Sequence, residues 1–316
     1  MSSSAPDPAA SPLPIEFPAG DGYRLGGYYW PGPARPRGAV LINAATGVAA
    51  RYYQRYGQWL QEQGFRVLAW DYRGIGLSRP ERLGRLRATK QDWGALDCEG
   101  ALQALLQRAP GLPLLAVCHS IGGFALGLAP SLERVERALF VGCQYAYWKD
   151  YHPARRLGYL ARWHLFMPAL AGLLGYFPGR RLGWLEDLPR GVALEWGLRL
   201  HPSFHRYYRF LPHARPPLPG PALEERMGRF QGRILALADR QDEYATPAAS
   251  RRLLDYFRQG ERHFVQLDPQ AQGLPALGHF GFFHDRFRDS LWPQSARWLL
   301  HGESPWPPLF SLGPGA

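Results

Sequence analysis

The feature that most constrains this chain is a succession of short apolar runs separated by stretches long enough for helices. Ala39 to Ile42, Val67 to Trp70, Leu114 to Val117, Ala138 to Val141, Ile234 to Leu237 and Phe264 to Leu267 are the runs. Strands with one wet face alternate polar and apolar residues, so short apolar runs of this kind point to strands covered on both faces. Helices fit between them at about 50–64, 92–108, 120–129, 247–258 and 289–301. Alternation of this type predicts an α/β fold, a mostly parallel central sheet flanked by helices. Ahead of it, Ile15 to Phe17 and Tyr23 to Trp30 flank an Asp21-Gly22 turn and read as an antiparallel hairpin at a sheet edge.

From about 146 to 226 the alternation stops. This segment reads as a mostly helical cap inserted after the sixth strand, so that 15–145 and 227–316 form one core. It holds twelve basic against six acidic residues and fourteen aromatic ones. An apolar interior with a basic rim suits a ligand with an apolar part and a polar or anionic head. Residues 1–14 are mostly Ser, Ala and Pro with one Asp, lacking the basic start and apolar run of a secretory signal, and read as a disordered lead-in.

With 316 residues the chain buries enough surface to need no staples. Its +11 charge comes from arginine, since Lys90 and Lys149 are the two lysines. The arginines are scattered rather than blocked, which speaks against a nucleic-acid partner. Cys98, Cys118 and Cys143 are odd in number and lack framework spacing, which points to a reducing, cytoplasmic setting. The longest uncharged run, Leu165 to Pro178, contains two prolines and is shorter than the ~20 apolar residues a bilayer span needs. Neither C-x-x-C nor H-E-x-x-H spacing occurs, so no metal site is expected, and no cofactor. A small-molecule substrate is the expected partner; the oligomeric state is not legible.

The chemistry centres on Cys118-His119-Ser120-Ile121-Gly122-Gly123, directly after the strand at 114–117. Small residues around a serine permit the tight strand-to-helix turn that lifts its hydroxyl above the sheet, the nucleophile elbow, here with Cys in place of the first Gly. The strand at 67–70 ends in Asp71-Tyr72-Arg73-Gly74-Ile75-Gly76-Leu77-Ser78, which lacks the lysine and spacing of a phosphate loop.

With these motifs the chain resembles the α/β-hydrolase superfamily, in the branch near serine aminopeptidases and monoacylglycerol lipases. It is more similar still to a bacterial group of α/β-hydrolases of undetermined substrate. The likeness runs over about residues 20–301, including Asp92-Trp93-Gly94, Gly175 to Gly179 and Gly278 to Phe283. It implies a Ser, acid, His order along the chain. Ser120 is then the nucleophile and His279 the base, with His284 a weaker choice. Asp239 and Asp242 compete as the acid; the relatives' pattern of a proline a few residues on favours Asp242, before Pro247. The Ile121 N–H is the first oxyanion donor. Relatives carry His-Gly where this chain has Asn43-Ala44-Ala45-Thr46-Gly47, which leaves Ala45, or else Ala44, as the second.

The implied activity is hydrolysis of a carboxylic ester through an acyl-enzyme. Aminopeptidase, amidase or thioesterase action by the same residues is the alternative, and a non-catalytic binding protein of the same fold is the other.

Overall fold

The computed structural model describes residues 11–197, 199–203 and 220–315. Its strands are β1 (Leu13–Pro18), β2 (Arg24–Trp30), β3 (Gly38–Asn43), β4 (Phe65–Trp70), β5 (Leu114–His119), β6 (Val135–Val141), β7 (Tyr176–Phe177), β8 (Leu188–Pro189), β9 (Arg233–Asp239), β10 (Glu261–Leu267) and β11 (Phe310–Leu312). Nine of them make one sheet in the order β1-β2-β4-β3-β5-β6-β9-β10-β11. The six in its middle run parallel and are the six apolar runs of the sequence. Every residue of β3 and β5 is buried, as strands covered on both faces require. At one edge β1 and β2 form the expected antiparallel hairpin. At the other β11 pairs antiparallel with β10, a strand too short to leave a pattern in the sequence.

Helices Gln54–Glu62, Glu99–Arg108, Ile121–Leu128, Pro247–Leu254 and Leu291–His301 connect the core strands. Trp30, Trp70, Trp93, Trp292 and Trp298 are fully buried in the core. The expected lead-in over 1–14 is shorter than drawn, because Leu13 and Pro14 pair with Tyr29 and Tyr28 in the edge hairpin. Residues 1–10 of it lie outside the described residues.

Between β6 and β9 the chain forms a run of helix, Arg156–Tyr159, Leu160–Phe166 and Met167–Leu174, whose middle part is π-helical. Helices Arg190–Gly197 and Gly220–Gly228 follow. A two-residue hairpin of β7 and β8 interrupts this helical segment, too short to carry an alternation. Part of the expected cap, 204–219, lies outside the described residues.

The Asp71 to Ser78 string is a structural knot. Asp71 accepts from the N–H of Ala50 at 2.7 Å and of Leu77 at 2.8 Å, tying the loop after β3 to the end of β4. A Cβ on Gly76, which has φ +44°, would fall 2.2 Å from that carboxylate. Arg73 is buried and pairs with Asp97 at 2.6 Å and Asp21 at 2.8 Å. Removing Asp97, the buried partner, would leave this guanidinium only the half-exposed Asp21 carboxylate as an ion-pair partner among the described residues.

Candidate active site

Ligand sites of open parallel sheets lie beyond the carboxyl ends of the strands, and this is where the expected residues meet. Ser120 follows β5 and precedes helix Ile121–Leu128 with φ 54° and ψ −110°. It is the one non-glycine residue with positive φ among the described residues. Such strain costs about 1–3 kcal/mol and persists where the surroundings enforce it. Here the N–H of Ser120 is held by the carbonyl of Val141 at 3.0 Å. A Cβ on Gly122 would lie 2.6 Å from the Asn43 carbonyl oxygen, and one on Gly123 would lie 2.9 Å from Phe140. The elbow therefore admits nothing larger than glycine at either place.

The structure separates the two aspartates after β9. Asp242 accepts from His279 Nδ1 across 2.7 Å through Oδ2. Its Oδ1 takes the N–H groups of Tyr244 at 2.8 Å and Ala245 at 2.9 Å. Burial pushes the Asp242 pKa up, but the charge and hydrogen bond of His279 and the two backbone N–H groups outweigh it and leave the pKa lowered. Asp239 instead accepts from the N–H of Leu277 at 3.0 Å and of Gly278 at 2.6 Å, so it tethers the loop that carries His279. His284 is exposed, edge-on to Tyr52.

One positioning residue escaped the sequence reading. Gly142, at the end of β6 with φ +58°, passes beneath the His279 and Asp242 pair; a Cβ there would meet His279 Nδ1 at 3.1 Å and Asp242 Oδ2 at 3.2 Å. A glycine directly after a buried strand was the available signal.

A buried relay ties the serine turn to the loops around it. His119 Nε2 lies 2.9 Å from the carbonyl oxygen of His279 and therefore donates to it. Its Nδ1 must then accept, and the Tyr53 hydroxyl donates to it at 2.8 Å. The Tyr53 oxygen in turn accepts the N–H of Ala45 at 2.9 Å. Burial, reinforced by the charge of His279, pushes the His119 pKa down to about 3, which keeps this ring neutral and the relay in one sense.

The relay bears on the expected second oxyanion donor. The Ala45 N–H already donates inside the core, and Ala44 is buried without reaching the cavity wall. Thr46, next along the loop, lines the cavity together with Ala45. Ile121 is the first residue of its helix, where backbone N–H groups have no partner within the helix.

Ser120 and His279 open into a cavity of about 340 Å³. Loop residues Thr46 and Val48 form one side, and Trp163, Trp184, Leu185 and Trp196 of the inserted segment form the other. Tyr244 and Phe280 close it beside the imidazole, with ring centroids 5.1 and 4.9 Å from that of His279. A larger cleft of about 450 Å³, lined by polar side chains such as His152, Arg240 and Asp268, lies on the far side of the acid loop and touches neither Ser120 nor His279. The smaller cavity is the one with chemistry in its wall.

Comparison with known proteins agrees with this architecture. Residues 34–170 match the family model described as serine aminopeptidase, S33. An uncharacterized protein of Escherichia coli K12, YfhR, is 34% identical over 128 residues, 37% of this chain and 41% of that protein. The chain thus spans less than half the length of that curated relative. Among solved structures, a monoglyceride lipase of Saccharomyces cerevisiae superposes with a TM-score of 0.62 at 16% identity, covering 92% of this chain and 95% of that one. An esterase of Pyrococcus furiosus superposes at 0.57 and 12% identity, covering 93% and 91%. A puromycin-hydrolyzing peptidase of Mycobacterium tuberculosis does so at 0.55 and 16%, covering 98% and 42%. The chain has the α/β-hydrolase fold, and the family match points to a hydrolase. Among the described residues no helix is long and apolar enough to cross a membrane.

Proposed function

We propose that this α/β-hydrolase is a serine esterase that works through an acyl-enzyme. The observation that carries the reading is the 2.7 Å contact between His279 Nδ1 and Asp242 Oδ2, with Ser120 and His279 in the wall of one cavity. A serine hydroxyl is too weak a nucleophile at neutral pH unless a base takes its proton as it attacks. His279 is that base, through Nε2, and Asp242 holds its tautomer and stabilises the imidazolium.

The Ser120 oxygen bonds to the acyl carbon while its proton passes to His279. The carbonyl oxygen gains the charge and takes hydrogen bonds from the N–H groups of Ile121 and Thr46, each worth about 3 kcal/mol in comparable sites. Collapse expels the alcohol, which leaves with the proton from His279. Water then enters by the same path in reverse roles and frees the acid.

An ester is favoured over an aminoacyl substrate by the cavity wall. None of its lining residues is Asp or Glu, so nothing there neutralises an α-ammonium group, and Arg162 repels one. The cavity sits at the small end of ligand sites and is walled by aromatic and aliphatic side chains, which suits a medium-length acyl chain. We read the segment over 146–226 as the cap that shapes it. The three buried, free cysteines accord with a cytoplasmic setting.

A fluorophosphonate probe tests the reading directly. It should label Ser120, and aryl esters should turn over faster than aminoacyl anilides. Absence of labelling would refute the activated serine, and faster anilide turnover would replace the ester by the amide.

A further inference from the structure

Arg162 occupies an unusual place in the cavity. It is the one arginine or lysine in the wall that holds Ser120 and His279, and no carboxylate sits in that wall. Arg162 is exposed toward the cavity, and several arginines around it are paired: Arg51 and Arg180 with Glu186, Arg79 with Asp187, Arg252 with Asp150. Arg162 forms neither an ion pair nor a hydrogen bond among the described residues. Aromatic rings hold it instead, its guanidinium carbon standing 4.6 Å from the Trp184 ring centroid and 5.7 Å from that of Trp163. Stacking fixes the plane of a guanidinium while leaving its edge N–H groups free to donate.

Two further observations point the same way. Arg162 and Trp163 lie within Leu160–Phe166, a π-helical turn of the kind that recurs at functional sites. Gln144, buried to 6% exposure on the same wall, makes no hydrogen bond among the described residues. A purely apolar substrate would strip water from Arg162 and Gln144 and give nothing back, which is costly for a charge. An anionic oxygen satisfies both, since a fork of N–H donors matches a carboxylate or phosphate.

From this geometry we infer that the substrate is an ester bearing a second, anionic group, and that Arg162 and Gln144 bind that group. The inference rests on the esterase reading and names its substrate class. The anion belongs either to the acyl half, as in a hemi-ester of a short dicarboxylic acid, or to the alcohol half, as in the ester of a phosphorylated alcohol.

Matched substrates test it. Aryl esters of a neutral acid and of a dicarboxylic acid of equal length form one pair; butyryl esters of a neutral and of a phosphorylated alcohol form the other. In one of the two pairs the anionic member should show at least about tenfold higher kcat/KM, shrinking as salt is raised, as for a charge-assisted contact. Arg162→Gln should bring that ratio to near one, Arg162→Lys should restore part of it, and Gln144→Leu should lower it. Arg181→Gln, which removes the same charge from the same segment outside the cavity wall, should leave the ratio intact. A ratio near one in the wild type for both pairs overturns the inference while leaving the esterase reading in place, and so does a ratio that Arg162→Gln does not change. Binding of glutarate monomethyl ester to Ser120→Ala, followed by tryptophan fluorescence, keeps the question open to measurement if no ester turns over. Loss of that binding in the added Arg162→Gln change supports the site independently of turnover; equal binding in both, together with the same result for glycerol phosphate as the alcohol-side probe, refutes it.

Discussion

The sheet side and the inserted side of the cavity are built differently. Ser120, Asp242 and His279 stand on turns at strand ends, and the backbone grips each: Val141 holds Ser120, Tyr244 and Ala245 hold Asp242, and Asp239 holds the loop that brings His279. On the opposite side Arg162, Trp163, Trp184 and Trp196 reach in as side chains from helices and loops, held largely by stacking on one another. Hydrogen-bonded turns fix atoms to within fractions of an ångström, which bond making requires. Stacked side chains shape a volume that can be reshaped without disturbing the sheet. Reaction and substrate choice are therefore expected to respond to different substitutions.

The strongest way to break this division is at the serine. Ser120→Ala should lower turnover of every ester by several orders of magnitude, as nucleophile removal does in comparable enzymes. Preserved steady-state ester hydrolysis in that variant would end the assignment.

Next is the pair of aspartates. Asp242→Asn should cost about 10⁴-fold in kcat through the wrong histidine tautomer, whereas Asp239→Asn, which loosens a loop, should cost far less. The reverse order in kcat would exchange their roles.

Gly142→Ala probes the backbone beneath the pair. A methyl group at φ +58° and 3.1 Å from His279 Nδ1 must displace the ring or the strand end, and kcat should fall by roughly ten- to a hundredfold. Full activity would show that this turn does not set the geometry.

On the inserted side, Trp184→Ala should lower kcat/KM for a hexanoyl ester by roughly tenfold, since an acyl chain would cover the part of this ring left open in the cavity at about 25 cal/mol per Å² of apolar surface, while an acetyl ester changes little. Equal losses on both, or acetyl as the best acyl group in the wild type, would erase the distinction between the two sides.

A remaining effect, outside turnover, concerns stability. The His119 pKa of about 3 in the folded chain lies below its ordinary 6.5, so the unfolded chain binds that proton first. This contribution is present above pH 6.5 and is lost as pH falls toward 3, at up to about 1.4 kcal/mol per pH unit. Urea unfolding at pH 7, 5.5 and 4 should show a shallower decline in His119→Gln than in the wild type.

Much of this was legible along the chain. Apolar runs betray the six parallel strands because burial on both faces leaves no other composition, and a serine between a strand and glycines betrays its turn because few residues fit one. The proline after Asp242 favoured that residue over Asp239, but only folding shows that one carboxylate faces His279 while the other turns back to Leu277 and Gly278. Only two residues separate them, and a loop erases periodicity, so no spacing rule tells where each side chain points.

What the sequence by itself determined is the class of sheet, its strand-end chemistry and the presence of a basic, aromatic insertion, all of which follow from local composition and short-range steric rules. Tertiary structure alone decided which arginine and tryptophans meet Ser120, that the Ala45 N–H is taken by Tyr53, and that Gly142 runs under the imidazole. Those contacts join residues far apart in the chain, and packing, which sequence proximity does not encode, sets them.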